Sequence, residues 1–346
     1  MSGLLRNLGA LLRGLGRPPA VGSTPADVTH REGKWRLLHY RPRLGGLAFQ
    51  TPVVLVPSLI NRHYVLDLLP GKSFVEHLVE LGHDVWMIDW GRPGDEDRFL
   101  SFDDVCERAL GRVLRLVTRQ SGRAPHLLGY CLGGTLAAIH AAAHPERVRT
   151  LTALAAPIGF RDDGLLATWT RTPSFDVDTL VDALGNVPWQ LMQGAFHLLR
   201  PTLTLSKLVF LADRAAQTEA AAFDELQEGF LALETWGNDN VSIPGEFYRR
   251  YIHELYRGDA LLAGTFRLGG GPADLARIRC PTLAVTFEQD SIVPWRSCAV
   301  ILDRVGSPVK HHLHQPGGHV GGFVSRSAAR RVWPPIAAFF AAHDRA

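Results

Sequence analysis

The chain has 346 residues, of which 46% are hydrophobic and 21% are charged, and its formal net charge is +3. This composition is typical of a globular protein with a buried core, and it excludes a fibrous repeat or a long disordered chain. The 37 basic and 34 acidic residues are spread along the sequence, so the charge gives no basis for a nucleic-acid partner.

The first 30 residues are interpreted as a short amphipathic helix and a linker. Leucines recur at helical spacing on one face, from Leu4 to Leu15, while Arg6 and Arg13 lie away from it. This helix could dock on the protein's own core, which we favour, or attach to a lipid or polymer surface. No apolar run reaches the roughly 18 residues that a membrane-spanning helix needs. Four cysteines without a C-x-x-C pair favour reduced thiols and a cytoplasmic location.

The following sequence, from Trp35 onward, alternates short apolar runs with helical patterns. This rhythm predicts an α/β fold with a mostly parallel sheet, whose crossover connections are helices. In the first half, a core at 31–158, the predicted strands are residues 51–57, 84–90, 125–130 and 148–155, with helices at 72–81 and 101–119. The second helix begins with Ser101-x-x-Asp104, which resembles a capping box.

The alternation becomes irregular at 159–275, a stretch rich in Trp, Phe, Leu and Ala. We predict a mostly helical cap there, inserted into the sheet domain. The core resumes at 276–346 with strands at 282–287 and 310–314, a helix near 296–304 and a final helix at 327–342. The two halves of the core are therefore expected to build one sheet.

The sequence Gly129-Tyr-Cys-Leu-Gly133 has the spacing of the G-x-S-x-G nucleophile elbow, with Cys131 in place of serine. A predicted strand precedes it and a helix of good helix formers follows it, so the local context is that of a strand–turn–helix elbow. The amides at the start of that helix can stabilise a thiolate or an oxyanion. An isolated buried cysteine is more often a small core residue, but this context favours a nucleophile in an α/β-hydrolase fold.

The partners of such a nucleophile follow it in the chain, first an acid and then a histidine. Asp290 lies in the loop directly after a predicted strand, with Glu288 as its nearest competitor. Asp290 is preferred because the Ile-Val-Pro that follows it begins the next helix and fixes the loop, and partly because of the family resemblance described below. The histidine is His319, which lies in a glycine-flanked loop where small neighbours allow an imidazole to approach the elbow. The predicted catalytic residues are therefore Cys131, Asp290 and His319.

An oxyanion needs backbone N–H donors from the residue after the nucleophile and from the loop after the third strand of the fold. These positions correspond to Leu132 and Leu59, with Ile60 as an alternative to Leu59. The other histidines are assigned to packing or to the surface; His126 and His140 are examples. The run of His311, His312 and His314 lacks carboxylate or cysteine companions, so we expect no metal site.

Together with these residues, several longer segments show that the chain resembles the polyhydroxyalkanoate synthases, which make storage polyesters from hydroxyacyl-coenzyme A thioesters. The resemblance extends over about 53–340. The segments that carry it are VPSLINRHYVLDL at 56–68, GHDVWMIDWG at 82–91, GYCLGGT at 129–135, WGNDNVSIPG at 236–245, DSIVPW at 290–295 and GGHVGG at 317–322.

This resemblance implies that Cys131 carries the acyl chain as a thioester, that His319 deprotonates the thiol or the incoming hydroxyl, and that Asp290 assists. It implies (R)-3-hydroxyacyl-coenzyme A and a growing polyester as substrates, no separate cofactor, and a second synthase subunit or a homodimer as partner, with attachment to polyester granules as a further expectation. The long N-terminal domain of the larger members is missing, so the chain resembles the short members.

Two further positions depart from the family pattern. Ser291 stands where the family often has a histidine, and Pro-Ser-Leu at 57–59 replaces a common Pro-Pro-x.

Two alternatives to a synthase are retained. One is a cysteine thioesterase or polyester depolymerase of the same fold, in which water is the acceptor. The other is a non-enzymatic protein of a granule or lipid surface, which would bind through the N-terminal helix.

Overall fold

A computed structural model describes residues 19–162, 164–199 and 220–344. Its centre is a sheet of eight strands, and a separate hairpin contains two more. The strands are β1 (Ala26–Glu32), β2 (Trp35–Tyr40), β3 (Val53–Val56), β4 (Val85–Asp89), β5 (His126–Tyr130), β6 (Thr150–Leu154), β7 (Arg267–Leu268), β8 (Gly271–Pro272), β9 (Thr282–Phe287) and β10 (Lys310–Gln315).

The order of strands in the large sheet is β1-β2-β4-β3-β5-β6-β9-β10. β1 and β2 pair in antiparallel fashion, as do β2 and β4, while the pairs from β4 through β10 are parallel. The four central strands β3, β4, β5 and β6 are completely buried, as expected for parallel strands with helices on both faces. This confirms the predicted α/β-hydrolase architecture with its mostly parallel sheet.

The described helices lie between and after these strands. They are α1 (Phe74–Leu81), α2 (Gly111–Ser121), α3 (Leu132–Ala143), α4 (Leu165–Arg171), α5 (Val177–Leu184), α6 (Trp189–Leu199), α7 (Ala220–Asn238), α8 (Gly245–Arg250), α9 (Trp295–Ala299), α10 (Ile301–Arg304), α11 (Gly321–Val324), α12 (Arg326–Arg331) and α13 (Trp333–Ala342). In addition, π-helical segments lie at Asp104–Leu110 and Tyr251–Arg257.

Local sequence explains where these helices begin. The Ser101 hydroxyl accepts from the Asp104 amide at 3.1 Å while the Asp104 carboxylate accepts from the Ser101 amide at 2.8 Å, so this pair forms the reciprocal cap that the sequence predicts. At α1 the hydroxyl of Ser73 accepts from the amide of Glu76, and Gly82 ends the helix in the left-handed conformation.

Two of the elements that differ from the sequence prediction have a local cause. Strand β1 lies partly within the first 30 residues, which were assigned to a helix and linker; it is an edge strand with mostly exposed, polar residues and therefore lacks the apolar alternation by which strands are recognised. The predicted final helix is two helices, α12 and α13, because Pro334 and Pro335 provide no N–H to continue it and instead occupy the first turn of α13. The predicted N-terminal amphipathic helix lies outside the described residues.

The region at 159–275 is mostly helical where it is described, with the short β7–β8 hairpin near its end. Its aromatic residues Phe160, Phe247 and Tyr251 pack into the same core cluster as Phe102 and the helices on one face of the sheet. The boundaries of the cap at 159 and 275 stay predictions. Throughout the described segments, no helix has the length and apolarity needed to cross a membrane.

Candidate active site

The elbow at Cys131 is a sharp turn between β5 and α3. Cys131 has φ 55° and ψ −131°, a strained conformation for a residue other than glycine. Its amide donates to the carbonyl of Leu154 at the end of β6, which fixes the turn to the neighbouring strand. The thiol is partly exposed, whereas Cys106 and Cys298 are fully buried. The structure therefore presents Cys131 at the carboxyl end of the sheet, as predicted.

The glycines of the motif permit backbone contacts that no side chain would allow. A Cβ atom on Gly133 would lie 2.1 Å from the carbonyl oxygen of Val56 and 2.6 Å from that of Pro57. A Cβ atom on Gly129 would lie 2.4 Å from the carbonyl oxygen of Gly133. The loop after β3 consequently runs directly against the first turn of α3, beside Cys131.

Asp290 and His319 lie together at the end of β9 and in the loop after β10. His319 Nδ1 is 2.7 Å from Asp290 Oδ2, and both side chains are almost completely buried. The other carboxylate oxygen of Asp290 accepts from the amides of Ile292 and Val293 at 2.9 and 2.8 Å. The carboxylate is thus held by its own loop while it orients the imidazole. Glu288, the competing acid, is exposed.

The imidazole of His319 is electrostatically coupled to both of its predicted partners. Burial disfavours the charged ring, but the Asp290 carboxylate and the Cys131 sulfur, which also hydrogen-bond to it, outweigh this effect and raise the pKa of His319 to about 10. These two neighbours therefore favour the imidazolium form of the ring. An imidazolium beside a sulfur atom stabilises a thiolate, the nucleophilic form of cysteine.

Tyr130 also belongs to this site, although sequence analysis did not single it out. Its ring stacks on that of His319 with centroids 5.3 Å apart, and its hydroxyl donates to the His319 carbonyl at 3.3 Å. It is the variable residue between Gly129 and Cys131 in the elbow, so the motif itself contained its position. This contact restrains the ring and the backbone of His319.

The two predicted oxyanion donors flank the elbow. Leu132 is the first residue of α3, where an amide has no acceptor within its own helix. Ile60 N donates to the Ser58 hydroxyl at 3.2 Å, whereas no such bond engages the Leu59 amide among the described residues. This distribution favours Leu59 over Ile60 as the second donor. The assignment of Leu132 and Leu59 stays a prediction.

The other histidines and cysteines considered in the sequence lie away from this site or have structural contacts. His126 and His140 are buried, and their rings pair with the Thr150 hydroxyl and the Cys106 carbonyl. His312 and His314 share the hydroxyl of Thr286 at 2.8 Å each. In the segments that the structure describes, no group of three or more histidine, cysteine or acidic side chains is arranged to hold a metal ion.

The cap supplies aromatic side chains to the region of the nucleophile. The rings of Tyr251 and Tyr256 meet edge to face at 5.2 Å, and Phe160 lies 5.0 Å from Tyr256. Burial raises the pKa of both tyrosines, and the charge of Cys131 raises it further, which shows that their hydroxyls lie within electrostatic range of the sulfur. The cap therefore contributes largely buried aromatic side chains that are electrostatically coupled to Cys131.

Comparison with known proteins agrees with this geometry. A family model described as the alpha/beta hydrolase fold matches residues 51–325. A second model, described as the N-terminus of poly-beta-hydroxybutyrate polymerase (PhaC), matches residues 15–78, which include the β1–β2 hairpin and the loop after β3.

Relatives named poly(3-hydroxyalkanoate) polymerase subunit PhaC match over almost the whole chain. The protein from Allochromatium vinosum is 33% identical over 337 residues, which cover 96% of this chain and 93% of the relative. The protein from Haloferax mediterranei is 33% identical over 324 residues, but these span only 65% of its own length. The relative from Cupriavidus necator is 28% identical, and the matched region spans 54% of it.

Solved structures with low sequence identity share the fold. A monoacylglycerol lipase from Paleococcus ferrophilus aligns with a TM-score of 0.53 at 19% identity, covering 85% of this chain and 97% of the lipase. A monoglyceride lipase variant from Saccharomyces cerevisiae aligns with a TM-score of 0.55 at 11% identity, covering 92% and 96%. These similarities support the α/β-hydrolase fold and carry no information on the substrate.

Proposed function

The chain belongs to the poly(3-hydroxyalkanoate) polymerase family within the α/β-hydrolase fold, and on this premise we propose that it polymerises (R)-3-hydroxyacyl-coenzyme A into polyester with release of coenzyme A. The observation that carries the proposal is a cysteine at the elbow, paired with His319 and Asp290, in a chain that is 33% identical to a polymerase subunit along 93% of that relative. The enzyme would be an acyltransferase.

The first half-reaction follows from the charge state of the site. The Cys131 thiolate attacks the thioester carbonyl, and the amides of Leu132 and Leu59 stabilise the oxyanion that forms. When the intermediate collapses, the bond from carbon to the coenzyme A sulfur breaks, and the leaving thiolate takes the proton of His319. The acyl group is then held on Cys131 as a thioester, and His319 is neutral.

The second half-reaction uses the neutral His319 as a general base. It accepts the proton of a hydroxyl group from another hydroxyacyl unit, whose oxygen attacks the Cys131 thioester. An ester bond forms, the carbon–sulfur bond breaks, and the imidazolium–thiolate pair is restored. Asp290 compensates the positive charge of the imidazolium each time it forms.

The nature of the nucleophile supports this sequence of steps. Exchange of one thioester for another is nearly balanced in free energy, so cysteine can accept an acyl group from coenzyme A and release it to an alcohol without a deep trap. A serine ester would be a more stable intermediate. The aromatic side chains of the cap, Phe160, Tyr251 and Tyr256, pack on one another and give an apolar surface, which supports transfer to a hydroxyl of an acyl chain over transfer to water.

Partners and location are part of the proposal. The relatives are named as polymerase subunits, which supports a second subunit or a homodimer as the assembled enzyme. We also propose attachment to the surface of polyester granules in the cytoplasm and no cofactor besides the coenzyme A of the substrate. A nucleic-acid partner is not proposed.

The test is product analysis with purified protein and 3-hydroxybutyryl-coenzyme A, with and without co-expressed neighbouring proteins. Polymerisation predicts release of free coenzyme A together with insoluble polyester. Release of coenzyme A with only free hydroxy acid accumulating would instead identify a thioesterase, and the proposal would be wrong. Medium-chain substrates in the same assay define the range of monomers.

A further inference from the structure

The loop after β3, residues 57–62, is held from two sides, and we call it the oxyanion loop because it carries Leu59. On the core side the anchor is Asp89, a buried carboxylate at the end of β4. Asp89 accepts from Arg36 at 2.7 Å, from the amide of Gly91 at 3.1 Å and from Arg62 at 3.4 Å, and His63 Nδ1 lies 3.1 Å from it.

On the other side the anchor is the cap. We call residues 236–241, which end α7 and follow it, the clamp segment. Most of its hydrogen bonds reach the backbone of the oxyanion loop. Trp236 Nε1 donates to the Arg62 carbonyl at 2.9 Å, the Val241 amide donates to the Ile60 carbonyl at 3.1 Å, and an isolated β-bridge with a side-chain hydrogen bond joins Asn61 to Asn240.

Asp239 is the charged residue of the clamp segment, and it joins the cap to two core loops at once. Its carboxylate accepts from the Tyr64 hydroxyl at 2.7 Å and pairs with Arg92. Tyr64 lies in the short helical turn His63–Leu66 that follows the oxyanion loop, and Arg92 lies in the loop after β4. Burial, with the charge of Asp239, raises the pKa of Tyr64, so the phenol stays protonated and remains a donor.

We propose that Asp239 is a positioning residue that seats the clamp segment on the oxyanion loop, so that the Leu59 amide is aligned with the oxyanion only while the cap is docked. The inference rests on the proposed function only in requiring that Cys131 attacks a carbonyl group.

Two observations connect this contact to catalysis. The oxyanion loop is already in contact with the elbow, since the Val56 and Pro57 carbonyls meet Gly133 closely. A hydrogen bond to an oxyanion needs its donor within a few tenths of an ångström of the correct place. The clamp segment bonds the carbonyl of Ile60, which lies two peptides after the one that carries the Leu59 amide, so a shift of the cap pulls on the short stretch of backbone that holds the donor.

The test compares two reactions of the same sulfur. Iodoacetamide alkylates Cys131 by displacement at a saturated carbon and forms no oxyanion, whereas acylation by a thioester requires the oxyanion donors. Asp239→Ala should lower the rate of first-turnover acylation by about tenfold or more, since removing an oxyanion donor outright costs about 100-fold to 1,000-fold. It should leave the alkylation rate within about twofold of the wild type, and kcat should fall more than KM rises.

The comparison includes two milder variants of the same contact and one control variant at a different position on the cap. Asp239→Asn retains an oxygen that accepts from Tyr64 and should recover part of the lost acylation rate. Tyr64→Phe removes the same hydrogen bond from the other side and should cause a smaller loss of acylation rate; it replaces Asp239→Ala in the comparison if that variant does not fold. Asp178→Ala removes a surface ion pair of the cap with Arg249 and should change neither rate. Equal effects of Asp239→Ala on both reactions, or no effect on either, would overturn the inference.

A p-nitrophenyl ester serves as the second acylating reagent. Its attack uses the same oxyanion donors but does not depend on hydroxyacyl-coenzyme A being the natural substrate. Failure of polymerisation with intact ester acylation would therefore count against the proposed function, whereas an unchanged ratio of acylation to alkylation in Asp239→Ala would count against the role of Asp239.

Discussion

His319 donates from Nδ1 to Oδ2 of Asp290 at 2.7 Å, and the other oxygen of the same carboxylate is occupied by the amides of Ile292 and Val293. One carboxylate oxygen is thus held by the loop, and the other is left to accept the hydrogen bond from His319. Because Nδ1 is engaged by the carboxylate, Nε2 is the ring nitrogen left to exchange a proton with Cys131, whose sulfur contributes to the raised pKa of the ring. This single contact thereby orients the base of the reaction.

Replacing Asp290 with asparagine should weaken the charge on His319 without removing its hydrogen-bond acceptor. The pKa of His319, about 10 in the wild type, should fall because the carboxylate that favours the imidazolium is gone. The acylation rate should fall by about 100-fold to 10,000-fold, as in other triads that lose this carboxylate. NMR titration of ¹³C-labelled histidine measures the first effect and stopped-flow coenzyme A release the second; an unchanged His319 titration would contradict the account.

Replacing Cys131 with serine should abolish most turnover. A serine hydroxyl is a far weaker nucleophile than a thiol, and the pKa of His319 should also fall, since Cys131 contributes to its increase. We expect coenzyme A release to drop by about 1,000-fold while the unfolding midpoint changes little. A serine variant with turnover near that of the wild type would contradict the role of the sulfur.

Replacing Gly133 with alanine should damage both stability and the elbow. The added methyl group would lie 2.1 Å from the Val56 carbonyl oxygen, and this neighbour is backbone at the end of a buried strand, which cannot move cheaply. We expect a loss of about 3 kcal/mol in the free energy of unfolding, the upper range for overpacking. Urea denaturation measures the change.

The matched control for that substitution is Gly194→Ala. Gly194 lies on α6, exposed, with no atom within 4 Å of an added Cβ. Alanine there should be neutral or should stabilise the protein by about 0.5–1 kcal/mol, since glycine is unfavourable within a helix. A Gly133→Ala variant as stable as this control would contradict the close contact between the elbow and the loop after β3.

Three buried histidines should make the protein sensitive to mild acid. Burial lowers the pKa of His83 to about 4 and that of His126 and His140 to about 3. Below pH 6.5 the unfolded chain therefore binds protons that the folded chain does not, and the free energy of unfolding decreases as the pH falls from 6.5 towards 4. The expected slope is about 4 kcal/mol per pH unit from the three groups together.

His83→Phe isolates one of these contributions. The ring of His83 stacks on Phe49 at 4.3 Å and contacts Phe340, and neither of its nitrogens has a hydrogen-bond partner among the described residues, so a phenyl ring suits the position. The variant should lose about one third of the acid slope, whereas His311→Gln on exposed β10 should retain all of it. Urea melts between pH 4 and 7 give the slopes, and identical slopes for the wild type and His83→Phe would refute the assignment.

Local sequence pointed to Cys131 and His319, whereas the preference for Asp290 over Glu288 rested partly on the family resemblance. Cys131 was found because glycines at two fixed positions allow the elbow, and Asp290 and His319 were found because each follows a buried or regular strand at the carboxyl edge of the sheet. The structure brings Asp290 and His319 into contact and places Cys131 next to His319. The buried strands of the parallel sheet could also be predicted from the sequence, since each is a short apolar run.

The remaining parts of the site depend on contacts that no short window of sequence contains. The preference for Leu59 over Ile60 as oxyanion donor arises from the position of the Ser58 hydroxyl, which only the folded loop reveals. Asp239 meets Tyr64 and Arg92 across 175 and 147 residues of chain. The segment containing Asp239 was noticed by its resemblance to a family, but its contact with the oxyanion loop had no sequence pattern.

The most direct test of the central claim is to locate the acyl group on the protein. Purified enzyme is mixed briefly with 3-hydroxybutyryl-coenzyme A, quenched in acid and digested, and the peptides that contain Cys106, Cys131, Cys280 and Cys298 are examined by mass spectrometry. The account predicts a hydroxyacyl thioester on Cys131 alone, which further substrate then transfers into polyester. An acyl group on another residue, or one on Cys131 that is released only as free hydroxy acid, would contradict it.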